Sequence, residues 1–333
     1  PAVVTNPALF VLHLEGVSGR LKDRSRLSMG SLRPAVFALA AFAVASAAPL
    51  SDEARSLFHE RGYHVAPGLL QDEAPALIQE MQRLMDEASA EDEADWSDGG
   101  DAPSSYAVSY QPDAATGAPI AGRIFKLQAV ATRSRVMKER TILNEKLVAV
   151  AEQLLGVAAD EAMDAFGTKF FPLLPAENET TSTSFHDDTH FFGTASDRVL
   201  SMSLYLEDTD VENGCLRVVP GSHANYGDGV RRESRYARGT GAAAHGEWLE
   251  LEADERAVDV AVPAGTPVFF DGRLIHGARH NVSPERSSFR IIAHFVPADL
   301  PMAWRGVDFG RGYADRYEVK APAPLVGALT SEL

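Results

Sequence analysis

From Phe166 to Val296 the chain is written in short apolar runs separated by Gly, Pro and Asn, and this punctuation restricts the fold more than any other feature. Gly167 to Leu174, Val199 to Leu206, Leu216 to Val219, Val258 to Val262, Pro267 to Phe270 and Phe289 to Val296 read as strands. Many short strands joined by turn residues build antiparallel sandwiches or barrels rather than alternating βαβ units. Helical spacing is confined to the region before them. Leu57, Phe58, Tyr63 and Val65 flank Gly62, which predicts a short helix stopped at Gly62 and followed by a strand. Leu77, Ile78, Met81, Leu84 and Met85 recur at helical spacing, as do Leu147, Val148, Ala151, Leu154 and Leu155. The fold class that results is mainly β with flanking α-helices.

Of the 333 residues 45% are apolar and 23% charged, a globular composition that excludes wholesale disorder and collagen-like repeats. A net charge of −16 repels a phosphate backbone, so nucleic acid is not an expected partner. Cys215 is the single cysteine, which excludes an internal disulfide and a thiolate cluster; a bound metal must rely on His, Asp and Glu. Residues 1–50 read as a leader, tail-like over 1–28. After Arg33 an uncharged run from Pro34 to Ala48 ends in Ala45-Ser46-Ala47, the pattern of a secretory signal. That run is shorter than the roughly 20 residues a membrane span requires, so no integral membrane domain is expected. The leader points to the secretory pathway or an organelle; without it the chain is expected to be soluble and cytoplasmic. Asn178-Glu-Thr180 and Asn281-Val-Ser283 are glycosylation sequons. The acidic, Ser-, Gly- and Pro-rich stretch 89–120 reads as a surface loop. Glycine-rich phosphate loops, nucleophile elbows and internal repeats are absent from the sequence.

The chemistry is concentrated in Phe185-His-Asp-Asp-Thr-His-Phe-Phe192. If this segment is extended, side chains alternate, so His186 and Asp188 share a face while Asp187 points away. His-x-Asp alone is a weak pattern. It gains weight from His276, which ends Val-Phe-Phe-Asp-Gly-Arg-Leu-Ile-His, where an apolar strand leads into a polar site. Two imidazoles and one carboxylate on one face of an octahedral metal leave three positions open, the arrangement of non-heme Fe(II) oxygenases. A dicarboxylate co-substrate then needs a cation for its far end. Arg286 and Arg290 both follow His276; Arg286 is preferred because Ser288 shares its strand face, and a guanidinium binds carboxylates bidentately.

Five motifs in order carry a family resemblance. They are Phe58-His-Glu-Arg-Gly-Tyr-His-Val65, Phe125-Lys126-Leu-Gln128, His186-Asp-Asp-Thr-His-Phe-Phe192, Glu212-Asn-Gly-Cys-Leu-Arg-Val-Val-Pro-Gly-Ser-His223, and Gly265-Thr-Pro-Val-Phe-Phe270 with Leu274-Ile-His-Gly-Ala-Arg-His-Asn281. From about Leu57 to Pro297 the chain resembles the phytanoyl-CoA dioxygenase family of Fe(II)- and 2-oxoglutarate-dependent oxygenases. The resemblance implies a double-stranded β-helix, that is, a jelly-roll, cupin-like barrel, with His186, Asp188 and His276 as iron ligands. It implies 2-oxoglutarate and O₂ as co-substrates, ascorbate as a stimulant, and an arginine after Asn281 as the anchor of 2-oxoglutarate. Lys126 falls where some members place a lysine on the co-substrate; a strand-edge lysine is the ordinary alternative. On this reading 51–333 is one dioxygenase domain with a polar insertion at about 224–256, where Arg231, Arg232, Arg235 and Arg238 cluster.

Two departures stand out. Family members often carry a hydroxyl residue two positions after the distal histidine, where this chain has Ala278. The spacing from Asn281 to the next arginines also fits neither Arg286 nor Arg290 cleanly. In related halogenases a small residue replaces the carboxylate ligand; the Asp188 found here favours hydroxylation over halogenation, and the expected substrate is a small organic or lipid-like molecule. Desaturation or cyclisation at the same site and a non-catalytic binding module are the rival readings. His190 would sit on the same strand face as His186, while His280 and His294 read as structural or exposed and Cys215 as a small buried apolar residue.

Overall fold

The first helix, α1 (Asp52–Arg61), starts where the Ser51 side chain accepts a hydrogen bond from the Ala54 N–H at 3.1 Å and stops at Gly62, as the sequence predicts. Gly62 has φ +83°, and a Cβ there would lie 2.5 Å from His223 Nδ1, so both the left-handed turn and the close contact require glycine. His223 in turn donates from Nε2 to the His59 carbonyl at 3.0 Å, fastening this corner.

The computed structural model describes residues 50–90, 107–112, 119–158, 160–175, 183–224, 256–304 and 307–321. The leader with its signal-like run, the Asn178 sequon and the arginine cluster of the 224–256 insertion lie outside the described residues. After α1 come β1 (Tyr63–Val65), α2 (Ala74–Ala90), the hairpin of β2 (Ala107–Pro112) and β3 (Pro119–Gln128), and three helices, α3 (Val130–Arg133), α4 (Arg135–Arg140) and α5 (Glu145–Leu155). Then follow β4 (Met163–Leu173), β5 (Thr183–His186), the single turn α6 (Asp188–Phe191), β6 (Leu200–Tyr205), β7 (Leu216–Val218), β8 (Val258–Val260), β9 (Thr266–Asp271), β10 (His276–Ala278) and β11 (Ser288–Pro297). The pair β12 (Ala303–Trp304) and β13 (Val307–Asp308) precedes β14 (Arg316–Val319). The stretch 89–120 is therefore not all loop: α2 runs to Ala90, and β2 and the start of β3 fall inside it. The alternation of Ala107-Val-Ser-Tyr-Gln111 was hidden by its Ser- and Pro-rich flank.

Strand pairing is antiparallel throughout the described residues. The larger sheet has the order β1-β9-β6-β11-β4-β3-β2, with β14 also on β4, and the smaller has the order β5-β10-β7-β8. Alternation along β6 divides the interior into two layers. Leu200, Met202 and Leu204 pack against Leu77, Met81, Leu84, Leu147, Ala151 and Leu154 of α2 and α5. Each such fully buried side chain contributes roughly 1.5–3 kcal/mol. The opposite face of the larger sheet meets the smaller one, where Tyr205, Val268 and Phe270 pack on Leu216, Val218, Val260 and Leu274. Two antiparallel sheets facing each other in this way form the double-stranded β-helix.

Two irregularities matter for the site. On β4 the residues Lys169 to Phe166 span the same ladder length as Ile292 to His294 on β11, which makes a bulge, and Gly167 sits in it with φ +67°. A Cβ at Gly167 would press to 3.0 Å from His294 Cδ2. The other is the turn after β10. There the buried Asn281 amide donates to the carbonyls of Leu174 at 2.9 Å and Arg286 at 2.7 Å, so this sequon asparagine is a structural tie. Among the described residues no helix is long and apolar enough to cross a membrane.

Candidate metal centre

His186 and His276 are brought together by the backbone itself: they are Cα partners in the β5–β10 ladder, and their rings lie 4.3 Å apart. Asp188 arrives differently from the extended segment the alternation assumed. The strand ends at His186, and Asp188 opens the turn α6. That turn is pinned by the Gly272 carbonyl, which accepts from the N–H groups of Asp188 at 2.8 Å and Thr189 at 3.1 Å. Gly272 belongs to the connection that delivers His276, so one short segment fixes two of the three groups. A Cβ at Gly272 would fall 2.8 Å from Val199 Cγ1, which leaves no room for a side chain. Asp187 is turned to Thr189, whose hydroxyl donates to it at 2.7 Å. The facing of His186 and Asp188 thus follows from a strand-to-helix break and not from strand alternation. His190 lies inside this turn, not on a strand.

The donor atoms of His186, Asp188 and His276 all lie within 4.8 Å of one another, and all three residues are buried. His186 Nε2 is 3.6 Å from Asp188 Oδ1 and His276 Nε2 is 3.8 Å from Oδ2. His276 donates its Nδ1 hydrogen to the Leu274 carbonyl at 3.0 Å, which leaves the Nε2 lone pair turned to the cluster. Burial and the neighbouring His186 push its pKa down to about 4, so the imidazole is neutral and able to ligate at pH 7. Burial alone would raise the Asp188 carboxyl. His276, the hydrogen bond from His186 and His294 outweigh it and hold the group well below the usual carboxylate range. Two imidazole nitrogens and one carboxylate oxygen suit a first-row divalent metal, whereas Mg²⁺ and Ca²⁺ prefer all-oxygen cages.

Behind Asp188 lies a hydrogen-bonded chain that sequence reasoning missed. Ser201 donates its hydroxyl to Asp188 Oδ2 at 2.6 Å and so must accept at 3.0 Å from His294 Nδ1. The remaining nitrogen of His294, Nε2, then faces Lys169 Nζ at 3.2 Å, where the ammonium donates. His294 is fully buried on β11 rather than exposed, and burial together with Lys169 pushes its pKa down to about 3. Lys169 is the Cα partner of Ile292, two residues along β11 from His294. The signal for this chain was present in the sequence as alternation: Ser201, Ser203 and Tyr205 occupy the inward positions of β6.

The co-substrate candidates separate. Arg286 precedes β11 instead of sharing a strand face with Ser288; it is half-buried, paired with Asp210 at 2.8 Å and donating to the Asp208 carbonyl at 2.9 Å. Ser288 is buried with its hydroxyl 3.2 Å from that of Thr209. Arg290 is buried on β11, directly across from Tyr205 on one side and Phe171 on the other, with its guanidinium 5.2 Å from the centre of the Phe171 ring. It is close enough to His276 to bear on that residue's pKa. Lys126 is buried in β3 with β2 and β4 on either side, so it is not an edge lysine. Burial and Lys169 push its pKa down to about 7.

Comparison with known proteins agrees with this geometry. The chain is 35% identical over 99 residues to an ectoine dioxygenase of Stutzerimonas stutzeri (strain A1501), which covers 27% of this chain and 32% of that protein. It is 28% identical over 170 residues to the L-proline trans-4-hydroxylase of Streptomyces griseoviridis, covering 46% of this chain and 61% of the relative. The first of these alignments thus spans about a third of the curated relative. Among solved structures, EctD from S. alaskensis with 2-oxoglutarate and 5-hydroxyectoine superposes with a TM-score of 0.58 at 21% identity, over 80% of this chain and 84% of the other. The non-heme alpha ketoglutarate dependent epimerase SnoN gives 0.55 at 20% identity, over 77% and 86%. These likenesses carry the double-stranded β-helix. Because the model of the phytanoyl-CoA dioxygenase (PhyH) family matches residues 58–288, including both His186-Asp-Asp188 and His276, the chain belongs to that family.

Proposed function

We propose that this protein is a non-heme Fe(II)- and 2-oxoglutarate-dependent dioxygenase that hydroxylates an unactivated C–H bond of a small organic or lipid-like substrate, with release of succinate and CO₂. The observation that carries the reading is the convergence of His186, Asp188 and His276 in one buried cluster at the meeting of β5, α6 and β10. Iron held there, with 2-oxoglutarate and O₂, would supply the oxidising chemistry.

The chain's own residues account for the rest. His276 is kept in the ligating tautomer by Leu274. Arg290 offers a buried guanidinium for the distal carboxylate of the keto acid, and Lys126 a buried amine on β3, two strands away across β4. Phe191 lies edge-on to His186 at 5.5 Å and Phe192 edge-on to His294 at 4.7 Å; the aromatic group of Phe166, Phe192 and Phe309 excludes water from this flank. Ser201, oriented by His294 and Lys169, holds one oxygen of Asp188 in place.

The test is succinate formation from 2-oxoglutarate under air with Fe(II) and ascorbate. Iron-dependent succinate is expected, stimulated by the true substrate from a panel of carboxylates, acyl thioesters and free lipids. No succinate above the iron-free control would overturn the reading in favour of a non-catalytic binding module. The Ser201 chain makes a separate prediction. Ser201→Ala should weaken Fe(II) binding roughly 10- to 100-fold, the usual cost of losing an outer partner of a metal ligand. Ser201→Thr should restore it, because the hydroxyl is kept. Anaerobic Fe(II) titration reads both, and equal affinity of Ser201→Ala and wild type would remove the chain from the mechanism.

A further inference from the structure

Strand β3 buries two polar side chains that no other group in the described fold satisfies. Leu127 packs with Leu77 and Phe170 in the core shared with α2 and α5, so Lys126 and Gln128 on either side of it face the other way. Gln128 is the Cα partner of Lys169 on β4, and partners across an antiparallel pair present their side chains to one face. That face is the one from which Lys169 reaches His294 at 3.2 Å. Among the described residues Gln128 Nε2 is buried without a hydrogen-bond partner. Lys126 is buried as deeply, and burial and the like charge of Lys169 both push its pKa down. Lys169 has Asp188 and Asp315 within electrostatic reach, whereas no carboxylate bears on Lys126. A buried cation without a counter-ion, two residues along one strand from a buried amide without a partner, marks a place for an anionic group.

Resting on the function proposed above, we infer that Gln128, Lys126 and Lys169 seat a carboxylate of the substrate, which makes the substrate a small carboxylic acid rather than an acyl thioester or a neutral lipid. Of the two carboxylates of 2-oxoglutarate, that function gives one to the metal and the other to Arg290. Arg290 stands on β11, two strands from β3, roughly 10 Å at the usual spacing between strands, so the anion at Gln128 is a third one. A carboxylate has about four lone-pair sites, enough for an amide N–H and two ammonium groups. Lys169 spends one of its three hydrogens on His294 and keeps the others for such a ligand. The size of the acid follows from the same chain. Lys169 is joined through His294 and Ser201 to Asp188, so an acid held there has the carbons next to its own carboxylate nearest the metal cluster.

The experiment uses matched pairs on the Fe(II)-loaded full chain. Short amino, hydroxy and cyclic carboxylic acids, the primary amide of each, and a set of acyl thioesters are compared for stimulation of succinate formation from 2-oxoglutarate. An acid should stimulate, and its amide should do so at least tenfold less well in kcat/KM, the worth of one hydrogen bond to a charged group. Gln128→Glu keeps the size of the side chain and sets a negative charge in the seat, so it should raise the KM for that acid tenfold or more; Lys126→Met should act in the same direction. Both variants should leave the anaerobic Kd for 2-oxoglutarate, read from the charge-transfer absorption of its chelate, within about threefold. Equal stimulation by acid and amide, or stimulation by thioesters alone, would overturn the inference without any variant. Weakening of 2-oxoglutarate in step with the acid, in either variant, would return the seat to the co-substrate and overturn it as well. If the wild-type chain makes no iron-dependent succinate, the proposed function itself fails; if it makes succinate that no acid stimulates, only the substrate assignment falls.

Discussion

Asp188→Ala and His186→Ala should each leave a folded protein that retains no iron and makes no succinate. The three donors lie within 4.8 Å of one another and offer one ligand atom each, so removing one leaves a two-point site. The loss in Fe(II) affinity should exceed the roughly 100-fold that bounds changes to outer partners. Folding is expected to survive in both cases. Without bound metal the Asp188 carboxylate is a buried charge facing two imidazoles, and its replacement removes a group whose burial is unfavourable. Asp187→Ala is the internal control. Asp187 is buried and holds the Thr189 hydroxyl, so its loss should cost stability of about 1 kcal/mol, yet its carboxylate is not among the clustered donors. Bound iron per chain after anaerobic loading and desalting, together with circular dichroism, separates these outcomes. Full iron retention by Asp188→Ala would sink the metal assignment, and loss at Asp187→Ala equal to that at Asp188→Ala would show that the turn and not the ligand had been destroyed.

The clustering of His186, Asp188 and His276 was legible because a metal site needs chemically distinctive residues, and few arrangements of His and Asp in a β-rich chain serve one. The strands were legible because Val199 to Leu206 and Phe289 to Val296 are continuous apolar stretches ended by turn residues, and α1 because Gly62 must end it. The way Asp188 reaches the cluster was not legible. Nothing in His-Asp-Asp-Thr announces that the strand stops at His186, since the turn is fixed by a carbonyl from Gly272, far away in sequence. His294 and Lys169 escaped notice for a related reason. Each is an unremarkable residue within an apolar strand, and only the pairing of β4 with β11, distant in sequence, brings the two side chains to 3.2 Å. Ser201, Ser203 and Tyr205 are a different case. Three polar side chains at alternate positions of a buried strand contradict the apolar inward face expected of a sheet packed on another, and that contradiction marks a site.

The choice between the two arginines yields the second large effect. Arg290→Met should raise the KM for 2-oxoglutarate more than about 30-fold, since truncating one partner of a buried charged hydrogen-bonded pair costs 2 kcal/mol or more. Methionine keeps the bulk of the side chain over Phe171, so the sheet should remain packed. Arg286→Ala should leave that KM within about twofold. Its guanidinium is already held by Asp210 and the Asp208 carbonyl at the surface, and an exposed pair of this kind is worth at most about 1 kcal/mol to stability. The preference for Arg286 over Arg290 rests on Arg286 beginning the strand. In fact β11 begins at Ser288, so alternation puts Ser288 and Arg290 together and leaves Arg286 in the preceding turn. Because His186, Asp188 and His276 are untouched in both variants, Fe(II) affinity should match wild type, and KM is the quantity that moves. A large rise in KM for Arg286→Ala with none for Arg290→Met would reverse the assignment and place the co-substrate on the opposite side of the β11 start, against the surface pair with Asp210.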